Sequence, residues 1–339
     1  MAGLRLRLSC AGKAMREALL PPFEHLAAAG DAAPQLSISI FDTASTGIEA
    51  PPPAWEPLHA APGTNPVARL RSSSACVLAA AGTGAVTAAE PASGGAVFHL
   101  PDASRIASSE RAAPLREALQ LLMAPHGRWM THAGAVGRRG HGVLLAGRGG
   151  SGKSTLALSC ALAGMEFVAD DYVLLEAGPP VAHAMQSTAK LTEDSATLLG
   201  LGPEAIDPAG FEPTLEGPAK ALVEIRRLAP STMTRQLRVG AVIAPVLPSP
   251  SSRFVSHTAT KRELDAFDGR AEPLLRPISA ARGLRAIAPS TIVQSGFQGG
   301  PSLAALAELV RQVPSYELEL SADPVANAKA VDGLVAELG

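Results

Sequence analysis

The chain has 339 residues, 47% hydrophobic and 18% charged, with a net charge of −2. That composition is globular rather than disordered, the length suits about two domains, and the small net charge gives no global field toward nucleic acid or a membrane surface. Cys10, Cys76 and Cys160 lie far apart with no C-x-x-C pair, which argues against a disulfide framework or a cysteine zinc site and fits a reducing, cytoplasmic setting.

From the start, Leu4, Leu6, Leu8 and Cys10 alternate with Arg5, Arg7 and Ser9, the pattern of a half-buried strand. The same alternation denies this stretch the continuous apolar core of a signal peptide, and no run of 18 apolar residues follows that would predict a transmembrane helix. Residues 14–29 are expected to be helical on either side of Pro21-Pro22. Leu36, Ile38 and Ile40 alternate with serines as a second strand. Residues 43–67, rich in Pro, Ala, Gly and Thr, read as a long loop. Short strands are expected around 76–78 and 97–100. Pro114 can start a helix that carries Leu115, Leu119, Leu122 and Met123 on one face. These pieces form a small N-terminal α/β domain over 1–128 without recognisable chemistry, and a second domain runs over 129–339.

In that second domain a strand is expected over 130–136, then a turn at Arg138-Arg139-Gly140, then the apolar run Val143-Leu144-Leu145-Ala146. Behind it stands Gly147-Arg148-Gly149-Gly150-Ser151-Gly152-Lys153-Ser154, which fits the phosphate-loop pattern G-x-x-x-x-G-K-[ST]. Glycines let such a loop curl around an anion with its N–H groups inward. Lys153 can reach the β- and γ-phosphates, and the Ser154 hydroxyl can take a place on Mg²⁺. The apolar, Ala- and Leu-rich run 155–163, ended by Gly164, reads as a helix whose N-terminus faces the phosphates. The nucleotide-binding set is Gly147, Arg148, Gly149, Gly150, Ser151, Gly152, Lys153, Ser154 and Thr155.

Glu166-Phe167-Val168-Ala169-Asp170 reads as a strand ending in acid, followed by Asp171 and a strand over 172–175. Acids at the end of an apolar strand sit where a sheet presents its ligands. Adjacent carboxylates divide their roles, one near a metal and the other accepting a proton from an attacking hydroxyl. His132 lies on the preceding strand, a position that suits a core histidine as well as a site residue. Further on, apolar runs around Leu222-Val223 and over 239–246, a helix over 302–313, a strand at Tyr316, Leu318 and Leu320, and a terminal helix over 324–338 complete the pattern. Residues 216–285 hold twelve Lys and Arg against six Asp and Glu, which reads either as a basic rim for an acidic peptide or phosphate, with Lys220 the first candidate, or as ordinary solvated surface.

In order and spacing, His132, the 147–154 loop and Val168-Ala169-Asp170-Asp171 resemble the HPr serine kinase/phosphorylase family, over about 130–323. The stretches 277–281, 288–291 and 313–318 are similar to a divergent branch of such kinases often linked to modified-peptide gene clusters. The resemblance implies an α/β architecture, a phosphoenolpyruvate-carboxykinase-like P-loop fold with a mixed sheet. It implies Asp170 as general base toward a serine hydroxyl, Asp171 and Ser154 on the metal, His132 in support, and ATP and Mg²⁺ as cofactors. Thr155 stands where the family has Glu. Its second signature is met only in part by Val223-Glu224-Ile225-Arg226-Arg227-Leu228-Ala229-Pro230; that region serves the phosphorylase reaction and the HPr partner, so the likeness carries the kinase core rather than partner recognition. The function so implied is an ATP-dependent kinase with Asp170, His132 and Lys153 catalytic, acting on a serine of a peptide, protein or small molecule. A nucleotide-binding regulator or accessory protein of a peptide-modification pathway, without turnover, is the alternative. A carboxykinase of central metabolism fits less well, because the chain is short and shows no organic-acid clamp. A homo-oligomer is compatible with this reading.

Overall fold

The computed structural model describes residues 1–30, 32–49, 67–71, 75–80, 83–176, 178–214, 217–248, 272–295 and 301–339. They form two compact units, Met1–Trp129 and Met130–Gly339.

In the first unit the alternating runs become β1 (Leu6–Cys10) and β2 (Leu36–Asp42), joined through α1 (Lys13–Leu19) and a 3₁₀ turn at Pro21–Leu26. Ile38 and Ile40 are buried. Asp42 caps a one-turn helix, α2 (Thr43–Thr46), by accepting the Ser45 N–H at 3.1 Å. The expected loop over 43–67 is corrected there, because an Asp at the strand end supplies the missing helix partner. Residues 50–66 lie outside the described residues. Then come β3 (Val67–Arg71), β4 (Cys76–Ala80), β5 (Val86–Glu90) and β6 (Gly95–Leu100). The sheet order is β1-β2-β6-β5-β4-β3, parallel among the first three strands and antiparallel beyond. Helices α3 (Ser108–Ala112) and α4 (Arg116–Met123) follow, with Leu119, Leu122 and Met123 buried as the helical spacing predicts; Leu115 is also buried but stands before the helix as its left-handed N-cap, so the helix starts at Arg116 and not at Pro114.

The expected strand over 130–136 is two strands. β7 (Arg128–Thr131) straddles the unit boundary, and β8 (Gly134–Arg138) begins after a break at His132-Ala133. The break persists because the backbone groups it frees find other partners. The His132 N–H donates to the Thr291 hydroxyl at 3.1 Å and the Ala133 N–H to Thr131 O at 3.0 Å. The chain continues through β9 (His141–Leu145), α5 (Lys153–Leu162), β10 (Glu166–Ala169), β11 (Val173–Glu176), β12 (Val181–His183), β13 (Thr188–Leu191), α6 (Glu193–Leu198) and β14 (Ala221–Glu224). After α7 (Ile225–Leu228) come β15 (Gln236–Val246), β16 (Leu274–Ile278), α8 (Ala280–Ser295), α9 (Leu303–Gln312), β17 (Ser315–Glu319) and α10 (Pro324–Leu338).

The nine-stranded sheet is mixed. Its order is β10-β8-β9-β15-β12-β11-β7, with β17 pairing both β15 and β16. The long β15 runs parallel to β9 and β17 and antiparallel to β12. β13 and β14 form a separate two-stranded ribbon. One apolar core joins Leu145 of β9, Leu156 and Leu158 of α5, Phe167 of β10, Ile243 of β15 and Val331 of α10. This core fixes α5, and with it the end of the glycine-rich loop, against the sheet. No helix among the described residues is long and apolar enough to cross a membrane.

Phe167 is fully buried at the centre of this core. Phe167→Ala is expected to cost about 3–5 kcal/mol of stability, read from urea denaturation of the second unit's transition. A loss below about 1 kcal/mol would mean the core collapses around the deletion.

Candidate functional site

Residues 147–152 connect β9 to α5. Gly152, the N-cap of α5, has φ +93°, and a Cβ there would run into Leu320 Cδ1, so both backbone and space call for glycine. The N-terminus of α5 has no side-chain cap and no acid in its first turn. Its leading N–H groups and dipole are thus left to an anion. Arg148, Gly149 and Gly150 are exposed. Lys153 is buried and folds back over the loop, its Nζ donating to Gly147 O at 2.8 Å and Arg148 O at 3.1 Å. Burial pulls its pKa down and nearby Lys220 adds to this, while Asp171 and Asp170 act in the opposite sense. The Thr155 hydroxyl donates to Ser195 Oγ of α6 at 2.9 Å, which ties the first turn of α5 to its neighbour.

β10 ends at Ala169 and delivers Asp170 and Asp171 beside this loop. The close approach depends on Gly134, where a Cβ would stand 2.9 Å from Asp170 O and 3.3 Å from Ala169 O. Asp170 is 1% exposed. Its Oδ2 accepts the Lys190 N–H at 3.2 Å, whereas Oδ1 is buried without a partner among the described residues. Burial and the Asp171 charge push its pKa up to about 6, and the neighbouring Ser154 hydroxyl, the Lys190 N–H and Lys153 pull it partway back. Asp171 is more open. Its Oδ1 lies 3.1 Å from His132 Nε2 and its Oδ2 3.4 Å from Lys190 Nζ. Burial works against its ionisation, but Lys190, His132 and Lys153 together outweigh it and hold the carboxyl well below the usual carboxylate range. Since an ionised carboxylate only accepts, His132 Nε2 carries the hydrogen of their bond.

The structure therefore brings His132, Lys153, Ser154, Asp170 and Asp171 together. His132 sits in the break between β7 and β8, its ring 5.5 Å from that of Tyr172, with Nδ1 buried and unpartnered among the described residues. Ser154 neighbours Asp170, while Asp171 engages His132 and Lys190. Lys190, on the apolar strand β13, was not singled out in the sequence, and Thr291, which holds the His132 backbone from α8, entered there only as part of the stretch 288–291, with no role. A lysine inside Thr188-Ala189-Lys190-Leu191, in a chain with only six lysines, is the signal that marks the first. Burial pulls the Lys190 pKa down, and Asp171, Tyr172 and Asp170 more than offset it, so the net shift is upward.

The basic surface over 216–285 is neutralised only in part where it is described. Arg226 and Arg227 both pair with Glu224, Arg276 with Glu319 and Arg282 with Glu317. Residues 216 and 249–271 of that stretch lie outside the described residues.

No family model and no curated protein matches the chain. Among solved structures, the HPr(Ser) kinase/phosphatase from Coxiella burnetii is similar over 61% of this chain and 97% of that one, at 15% sequence identity and a TM-score of 0.32. That is a distant likeness.

Asp170 has a testable signature. Its pKa is raised in the fold, so the stability it contributes is present below the ordinary carboxylate value and is lost as pH rises through about 6. Asp170→Asn removes that loss. The variant is expected to melt above wild type at pH values well over 6, with the gap closing as pH falls toward the ordinary carboxylate range. A gap that is flat across pH would show that Asp170 is ionised in the fold at no cost.

Proposed function

We propose that the second unit is an ATP-dependent kinase of the P-loop, phosphoenolpyruvate-carboxykinase-like type that transfers the γ-phosphate to a serine hydroxyl of a peptide, protein or small molecule. The observation that carries this reading is the juxtaposition of an uncapped helix N-terminus and Lys153 with a buried carboxylate that keeps one oxygen unpartnered. The loop 147–152 and Lys153 bind the phosphates. Asp170 Oδ1 accepts the serine proton as the serine oxygen bonds to the γ-phosphorus; the bond to the bridging oxygen breaks, and ADP leaves with its electron pair. A base with its pKa raised toward neutrality suits that role better than one held fully ionised.

The donor set also accommodates Mg²⁺. Among the described residues no cluster of three or more His, Cys, Asp or Glu could hold a metal, but Mg²⁺ needs only one or two carboxylates when phosphates and waters supply the rest. Ser154 and Asp171 would hold it, and the ion would neutralise charge on the β- and γ-phosphates. His132 would fix Asp171.

Asp170→Asn is expected to abolish phosphate transfer, by 10³-fold or more on the order of magnitude of a lost base and its field, while ATP binding persists. Lys153→Ala is expected to weaken ATP binding itself. The measurement is mass spectrometry of candidate serine acceptors after incubation with ATP and Mg²⁺, paired with calorimetric ATP binding. Nucleotide binding without any phosphorylated product would favour a regulator or accessory protein instead, and undiminished transfer by Asp170→Asn would remove the base assignment.

A further inference from the structure

The two carboxylates present four oxygens, and three are engaged: Asp171 Oδ1 by His132, Asp171 Oδ2 by the Lys190 ammonium, and Asp170 Oδ2 by the Lys190 main-chain N–H. Only Asp170 Oδ1 is left without a partner among the described residues. The Ser154 hydroxyl also bonds Asp170, and Lys190 is the one of these residues that contacts both acids.

We propose that Lys190 is the positioning residue of the acid pair, holding Asp170 through its backbone and Asp171 through its side chain, so that a single oxygen is presented to the acceptor. This rests on the kinase reading above.

The placement follows from strand physics. Successive side chains of a strand point to opposite faces. Ala189 and Leu191 are buried in the same core as Leu156 and Ala157 of α5, which sends Lys190 to the other face, toward the acids. Pairing of Lys190 with Leu222 of β14 fixes the register. A one-residue slip would turn the lysine into the core and an apolar side chain toward the carboxylates. β13 therefore packs on the helix that carries Lys153 and, through Lys190, holds the acids, so one rigid element sets the distance between the phosphate-binding end and the proton-accepting end. A functional group supported by a packed strand keeps its geometry better than one held on a loop. Lys153 does not substitute for Lys190 here, because its ammonium is engaged by the loop carbonyls.

Lys190→Met keeps the stem and removes the ammonium. It is expected to lower kcat for phosphate transfer about 10- to 100-fold, as loss of a partner that orients a working ligand does, with KM for ATP within about threefold of wild type and an unchanged melting temperature. Lys190→Arg is expected to recover most of the rate. An unchanged kcat in Lys190→Met, or equal losses in the Met and Arg variants, would overturn the assignment. If the wild type transfers phosphate to no acceptor, the kinase reading fails, and the clamp is then read separately by lysine-ammonium NMR on the full chain. The Lys190 signal, identified by its loss in Lys190→Arg, should shift and exchange faster in Asp171→Asn; a signal indifferent to that substitution overturns the clamp.

Discussion

Two carboxylates adjacent in sequence and confined at the end of one strand repel each other, and the site is built around that repulsion. Burial raises the cost of ionising either acid. The conflict is resolved by giving them unequal surroundings. Asp171 receives His132 and Lys190, and Asp170 receives one backbone N–H and the nearby Ser154 hydroxyl. Neighbouring like charges cannot both ionise freely, so the partner that gains cations ionises first and the other keeps its proton to a higher pH. Chemically, that leaves a carboxylate poised to exchange a proton near neutrality beside one that stays charged.

Several features of the fold are consequences of this arrangement. The break between β7 and β8 turns His132 out of the strand, and Thr291 compensates the backbone there. Gly134 removes the Cβ that would hold β8 away from the Asp170 carbonyl. β13 presents Lys190. At the other side of the site, Lys153 rests on the carbonyls of its own loop, so the loop keeps its curl with the helix N-terminus open. A cation desolvated in this way is stabilised by the carboxylates it faces, which links the glycine-loop end of the site to the acid pair electrostatically as well as through the shared core.

Local patterns made much of this visible in the sequence. The glycine loop, the helix after it and the acidic strand end are contiguous signals, each inside a window of about ten residues, and the mixed α/β architecture follows from the alternation of such windows. What escaped was non-local or too short to show a period. Lys190 meets Asp171 across 19 positions from a four-residue strand, and Thr291 meets His132 across 159. β5 passed unseen because Val86-Thr87-Ala88-Ala89-Glu90 offers small residues with little contrast between faces. The helix α8 contains both Gly283 and Pro289, which interrupt the helical pattern where it could have been read. The strand expected over 130–136 had the right composition. Its break is a tertiary effect, since it depends on a hydroxyl supplied from α8.

On the kinase reading proposed above, charge explains why the acceptor is harder to read than the donor. The phosphate-binding end draws on features that any polyphosphate would engage: an uncapped helix, a lysine and glycine backbone. An acceptor must instead be distinguished by side chains at the rim. The excess of positive charge over 216–285 is a natural candidate for that role, but Arg226, Arg227, Arg276 and Arg282 are paired with glutamates, the first two sharing Glu224. Paired arginines at the surface present little net field beyond a Debye length of about 8 Å at physiological ionic strength. Lys220 differs, because its charge is felt by Lys153 inside the site. Lys220 adds to the burial that lowers the Lys153 pKa, and Asp171 and Asp170 act against it. On the proposed kinase reading, Lys220 is thus the cation of this stretch placed to act beside Lys153, whereas the paired arginines are not.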